Sequence, residues 1–313
     1  MTSTDLAARP TGRTPVVPAP RRPRRRRPVD RHATRLVLGG SRLARVLALT
    51  ALTVLAVAWL LPLAWAVLTA VKSEQDASDP THWFWPAGSF TLEGFRTVIE
   101  RGDLPLWMFN SLLIAAAVTL ITVLVSAMAG YAFSRTRFAG RRWLFALVVA
   151  AIMVPQQILI VPWFEQMLTL GLIDTYAAVI LPQTVAPIMV FILKKHFDSI
   201  PRELQEAARI DGAGHWRIFW SVMLPLSRPM LAAVSIFVFI GAWNNFLWPF
   251  VSTSDPALMT LPVGITAVKD AYGLQYAQTM CSAVLAALPL VLVFMLFQRH
   301  IIKSVTTTGL GGQ

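Results

Sequence analysis

Glu203-Leu-Gln-Glu-Ala-Ala-Arg-Ile-Asp-Gly-Ala-Gly-His-Trp-Arg-Ile-Phe-Trp-Ser-Val-Met-Leu-Pro225 lies between two apolar stretches, and its residues suit recognition. Glu206 offers a carboxylate that accepts charge-assisted bonds from a partner's Arg or Lys. Ala207 and Ala208 beside it leave a smooth surface for close approach. Pro201 can start a helix over Glu203 to Asp211. Gly212 can stop it, because glycine accepts left-handed backbone. His215 to Val222 reads as a second short helix, ended by Pro225. Trp216, Phe219 and Trp220 supply aromatic surface that anchors an interface or packs the segment onto its own helices. The whole reads as an L-shaped docking surface for another protein.

A second group lies inside apolar stretches. Gln156 and Gln157 follow Pro155, and Trp243-Asn244-Asn245 is followed by Trp248. Two readings stay open for the Trp and Asn residues. Amides bond between helices while Trp fills the interface, or aromatic faces and amides line a pathway of the kind that recognises carbohydrate. For Gln156 and Gln157, the helix bundle and a cavity are equally served. No catalytic constellation is present: there is no phosphate-binding G-x-x-x-x-G-K-[ST], no Cys/His metal spacing and no nucleophile elbow. The five His are scattered, with His82, His196, His215 and His300 near predicted membrane ends or in loops and His32 in the N-terminal tail.

The elements that position these residues are membrane spans. The 313 residues are 55% hydrophobic and only 14% charged, against about 25% charged in soluble proteins. Six apolar stretches are long enough to cross: about Val46–Val71 with Pro62 as a predicted kink, Trp107–Phe133, Trp143–Phe164, Thr175–Leu193, Pro229–Val251 and Met280–Gln298. A polar segment as long as 201–229 must lie in water between two of them. The net charge of +12 belongs mostly to an Arg/Pro-rich tail, 1–45, which is expected to be disordered and to sit near anionic headgroups. The tail, the loop with Arg135, Arg137, Arg141 and Arg142, the segment from Lys194 to Arg228 and the C-terminal tail, 299–313, are basic. The alternating loops, including that of 72–106 with its Trp83-Phe84-Trp85 cluster, are acidic or near neutral. Positive-inside then predicts six helices with both termini cytoplasmic. The lone Cys281 reads as a buried structural thiol.

The spans hold almost no ionisable residues, only neutral groups such as Asn110, Gln156, Gln157, Gln183, Asn244 and Asn245. A self-contained carrier ordinarily needs intramembrane charge or ion-coordinating broken helices. Energy is therefore expected to enter from outside this chain. A membrane-anchored nucleic-acid-binding protein would act through the basic tail alone, a third class of function.

Glu206-Ala207-Ala208-x-x-Asp211-Gly212-Ala213, followed by Leu224-Pro225-Leu-x-x-Pro, resembles the EAA signature of bacterial ABC-importer permeases. Phe109-Asn110-Ser111, Met153-x-Pro155, Phe197-x-x-Ile200-Pro201 and Trp243-Asn244-x-Phe246-x-x-Pro249 add to it. Together they are similar to the sugar-importer branch, in particular the second, MalG-like permease of maltose-type systems. The resemblance runs from about Val46 to the C-terminus. It implies an all-α membrane protein with a type I (MetI-like) importer fold and a transmembrane core over 107–298, in the bacterial cytoplasmic membrane. It implies a sister permease, two ATPase subunits that hold the ATP, and an extracytoplasmic solute-binding protein. Lipid is a further expected partner; nucleic acid, a metal and a cofactor on this chain are not expected. Glu206, Ala207, Ala208, Asp211, Gly212 and Trp216 would dock the ATPase. Import of an amino acid or peptide is the alternative, since such importers share the EAA loop.

Overall fold

The computed structural model describes residues 42–101, 103–272 and 275–310, with the side chains of 101, 268–272 and 297–310 excepted. The expectations for residues 1–41 lie outside the described residues. The chain divides into two units, one ending at Leu60 and one beginning at Leu61. The described part of the first is helical, Arg42 onward, so residues 42–45 are not the disordered tail expected there. Its Leu43, Leu47, Leu52, Val54 and Trp59 are all exposed. A helix apolar on every side suits hydrocarbon.

The described residues form helices: α1 (Arg42–Ala70), α2 (Glu74–Ser78), α3 (Glu93–Arg101), α4 (Leu104–Arg135), α5 (Arg141–Ile152), α6 (Ile160–Thr169), α7 (Tyr176–Gln183) and α8 (Pro187–Ser199). They continue as α9 (Arg202–Ile210), α10 (His215–Ile218), α11 (Leu224–Leu226), α12 (Arg228–Trp243), α13 (Leu247–Ser252), α14 (Leu261–Tyr272) and α15 (Tyr276–Leu310). Helices α1, α4 and the Tyr276–Leu296 part of α15 are each long and apolar enough to cross a membrane. Three bent pairs raise the number of candidate spans to six.

Proline explains most of the bends. The third span is broken: Arg141–Ile152 and Gln156–Thr169 meet at 97°. Pro155 has extended backbone (φ −63°, ψ 130°) and no N–H to continue the ladder. The fourth bends by 48° between Gln183 and Pro187. Pro187 starts α8, and the residue before a proline is pushed out of the helical region. The fifth stops at Trp243 and resumes at Leu247, with Pro249 unable to donate to the carbonyl of Asn245. In the loop expected over 252–271 the structure has a further helix, α14. Helix α1 holds Pro62 inside a 29-residue run.

Helix α4 is the axis of the second unit. Its buried residues include Trp107, Asn110, Ser111, Ile114, Val118, Thr122, Ser126, Tyr131, Ser134 and Arg135, a stripe at helical spacing. Against its stretch from Ile114 to Tyr131 pack Val179, Leu193, Phe197, Ile218, Phe219, Met223, Val234 and Val238. Gly130 lets α8 approach closely, since a Cβ there would stand 2.9 Å from Lys194 N. At the other end Leu104 and Trp107 join Trp243 and Leu261.

Candidate functional site

The polar segment folds as two helices about a glycine. Pro201 caps α9, and Asp211 closes it. Gly212 follows at φ +77°, left-handed backbone that favours glycine. Its N–H bonds to Arg209 O (2.9 Å) and that of Ala213 to Ala208 O (2.9 Å). These two bonds are the Schellman closure, which satisfies carbonyls that a helix end otherwise leaves orphaned.

Helix α9 has two faces. Gln205 is buried, and Ala208 packs on the core beneath it. Glu203, Glu206, Ala207 and Ile210, at spacing i, i+3, i+4, i+7, are all exposed. Ile210 is 87% exposed and Trp216 67%. Of the expected alanine surface, Ala207 therefore points outward and Ala208 inward. The aromatic residues divide too: Trp216 and Trp220 are exposed, whereas Phe219 is buried beside Tyr131 (ring centroids 5.3 Å apart). Exposed apolar side chains, Ile210 and Trp216, thus stand next to a carboxylate-bearing face. A pocket of about 230 Å³ lies beside it, lined in part by Tyr131, His215 and Trp216.

The second helix runs differently from the expectation that Pro225 ends it. After α10, residues Phe219–Met223 form a widened π turn, with Leu224 N bonding to Phe219 O. Pro225 cannot donate to Ser221 O, and the widened turn accommodates that loss. The chain turns by 80° only at Ser227, before α12.

The candidate pathway residues lie at the breaks in the spans. Gln156 and Gln157 are exposed on the turn after Pro155. Asn245 Nδ2 donates to Gln183 Oε1 (2.7 Å), and Gln183 Nε2 to Val179 O (2.8 Å), so the fourth and fifth breaks are tied together. Among the described residues, no hydrogen bond joins Gln156 or Gln157 to this pair. Asn244 is exposed and donates to Ile240 O (3.0 Å). Trp243 is 2% exposed and stacks on Phe239 (5.9 Å). Trp248, equally buried, donates to Ala178 O (3.1 Å) and meets Trp163 edge-on (5.5 Å).

Three structural nodes escape sequence reading. Asn110 is fully buried; its Nδ2 donates to Ala257 O and Met259 O (both 2.9 Å), and its Oδ1 accepts from Tyr176 OH (2.7 Å). With Ser111 Oγ accepting from Leu261 N (2.7 Å), it pins the loop between α13 and α14. Phe109-Asn110-Ser111 was visible as a motif, but the carbonyls it grips lie about 150 residues away. Lys72 is buried at the end of α1 and donates to His82 O (2.7 Å) and Trp83 O (2.8 Å). Burial lowers its pKa, against the raising effect of Asp76. Arg135 is not a loop charge as expected. It is the last residue of α4, 9% exposed, and it grips carbonyls of α8 and the residue after it.

The fold and this site define a class: an all-helical, multi-pass membrane protein with broken spans and one structured polar segment. Residues 123–307 match the model of the binding-protein-dependent transport system inner membrane component, and the chain belongs to that family. It is 40% identical over 225 residues to the arabinooligosaccharides transport system permease protein AraQ of Halalkalibacterium halodurans, covering 72% of this chain and 81% of that one. It is 34% identical over 278 residues to the trehalose/maltose transport system permease protein MalG of Thermococcus litoralis, covering 87% of this chain and 98% of that one. Its fold matches a chain of a bacterial ABC transporter involved in the import of the acidic polysaccharide alginate, with a TM-score of 0.73 at 19% identity, over 83% of this chain and 98% of that chain.

Proposed function

We propose that this chain is the permease subunit of an ATP-driven importer that carries a sugar or oligosaccharide across the cytoplasmic membrane by alternating access. The observation that carries the reading is the outward face of α9, where Glu206, Ala207 and Ile210 stand exposed on a segment otherwise packed into the core. In this reading the face receives an ATPase subunit. Two such subunits bind the ATP, and this chain holds no cofactor. A sister permease completes the pathway, and a solute-binding protein delivers the solute from outside. The basic tail and basic loops support a topology with both termini in the cytoplasm.

ATP closes the ATPase dimer, the docking segment is carried with it, and the permease pair rocks between two states. Gln156, Gln157, Asn244 and Asn245, at the breaks, are the groups offered to a polyhydroxylated solute. Trp243 and Trp248 support them from behind. The sugar assignment is supported by the names of the relatives. The test is reconstitution of the complex in proteoliposomes with arabino- and malto-oligosaccharides as probes. Uptake should require ATP on the ATPase side and binding protein on the other. Uptake by this chain alone, driven by an ion gradient, would contradict the reading.

A further inference from the structure

We propose that the last turn of α4, Tyr131 to Arg135, is the fulcrum that delivers motion of the docking segment to the membrane core, with Arg135 as its main positioning residue. The inference rests on the docking role argued above and names how that site is connected.

Three side chains of this one turn hold the chain just before the segment and at the start of its second short helix. Arg135 Nε donates to Phe197 O (3.1 Å), and Nη2 donates to Phe197 O and to Ile200 O. These carbonyls belong to the C-terminal end of α8, immediately before Pro201. Helix ends leave such carbonyls unsatisfied, and a cation suits the negative end of the dipole. The guanidinium fork is rigid and planar, so it fixes direction as well as distance. Ser134 Oγ donates to Asp198 Oδ1 (2.8 Å), and Lys194 Nζ holds the other oxygen (2.7 Å). Tyr131 OH donates to His215 O (3.3 Å), at the start of the second short helix. Its ring lies between Phe197 (6.3 Å) and Phe219 (5.3 Å).

The covalent route into the spans is poorly suited to carry force. After the first short helix the segment holds a π turn, and an 80° bend follows at Ser227. The non-covalent route is short; the bond of Arg135 to Phe197 is buried, and those of Ser134 and Tyr131 are part-buried. A displacement of the Glu203–Ile210 face therefore reaches α4 through Arg135, Ser134 and Tyr131. Helix α4 is a 32-residue rod, about 48 Å long at 1.5 Å per residue. Its far end grips the loop between α13 and α14 through Asn110 and Ser111.

The test measures solute uptake and ATP hydrolysis in the same proteoliposomes holding the whole complex, together with ATPase capture in detergent. Arg135→Lys keeps charge and a donor but loses the fork; Arg135→Ala loses both; Tyr131→Phe loses only the hydroxyl. Capture should stay at the wild-type level in all three, because the outward face of α9 is untouched. Uptake per ATP should fall about tenfold in the Arg135 variants, within the usual range of a coupling free energy. Tyr131→Phe should fall less. If Arg135→Ala does not reach the membrane, Arg135→Lys decides the matter. Unchanged uptake per ATP in Arg135→Lys would overturn the inference. So would loss of capture, since Arg135 would then merely shape the docking face. Absence of ATP-driven uptake in the wild-type complex would instead overturn the proposed function.

Discussion

Gly212 has a requirement that is purely backbone. A Cβ added there meets nothing within 4 Å, yet φ is +77°. An L-residue in this region costs roughly 1–2 kcal/mol, and a β-branched one more. Gly212→Val should therefore loosen the closure of α9 while leaving the spans intact. Hydrogen exchange at Ala213 N and at the amide of position 212 should speed up, thermal unfolding of the remainder should not move, and uptake should fall. Wild-type uptake and exchange in this variant would remove the glycine from the account. Pro201, the α9 helix and the Gly212 stop were legible in the sequence because they are local signals. The orientation of Ala208 and Phe219 was not, because burial depends on which core the segment lands on.

At the scale of elements, close helix approach is set by missing side chains. A Cβ at Gly264 would stand 2.1 Å from the Trp107 ring. Trp107 is buried and its Nε1 donates to Pro256 O (3.0 Å), so the ring has no free direction in which to retreat. Gly264→Ala should destabilise the contact of α4 with α14 by about 1–3 kcal/mol, the usual cost of overpacking. A lowered midpoint of thermal unfolding in detergent is the expected readout, and an unchanged midpoint would show the contact to be soft. The spans themselves were readable from apolar length. Their breaks were only half readable: prolines 155, 187 and 249 announce trouble, but angles of 97° and 48° are decided by what packs on either side. The hydrogen bonds of Asn110 and Arg135 join positions about 150 and 62 residues apart. No local pattern encodes those pairings.

For the whole molecule, the absence of charge within the apolar stretches and one structured polar segment led to the same conclusion from opposite directions. In the proposed reading the first leaves the energy to be supplied from outside the chain, and the second gives a place where a partner can deliver it. The central claim is that the outward face of α9 is that place. Its most direct test is capture of the cognate ATPase by the detergent-solubilised permease pair, comparing wild type with Glu206→Lys and Ile210→Asp. Both substitutions change only exposed side chains, so insertion into the membrane should be unaffected. Reversing or adding charge at an interface centre commonly costs 2–5 kcal/mol, so capture should drop by roughly thirtyfold or more. Capture equal to wild type in both variants, with normal insertion, would contradict the docking role.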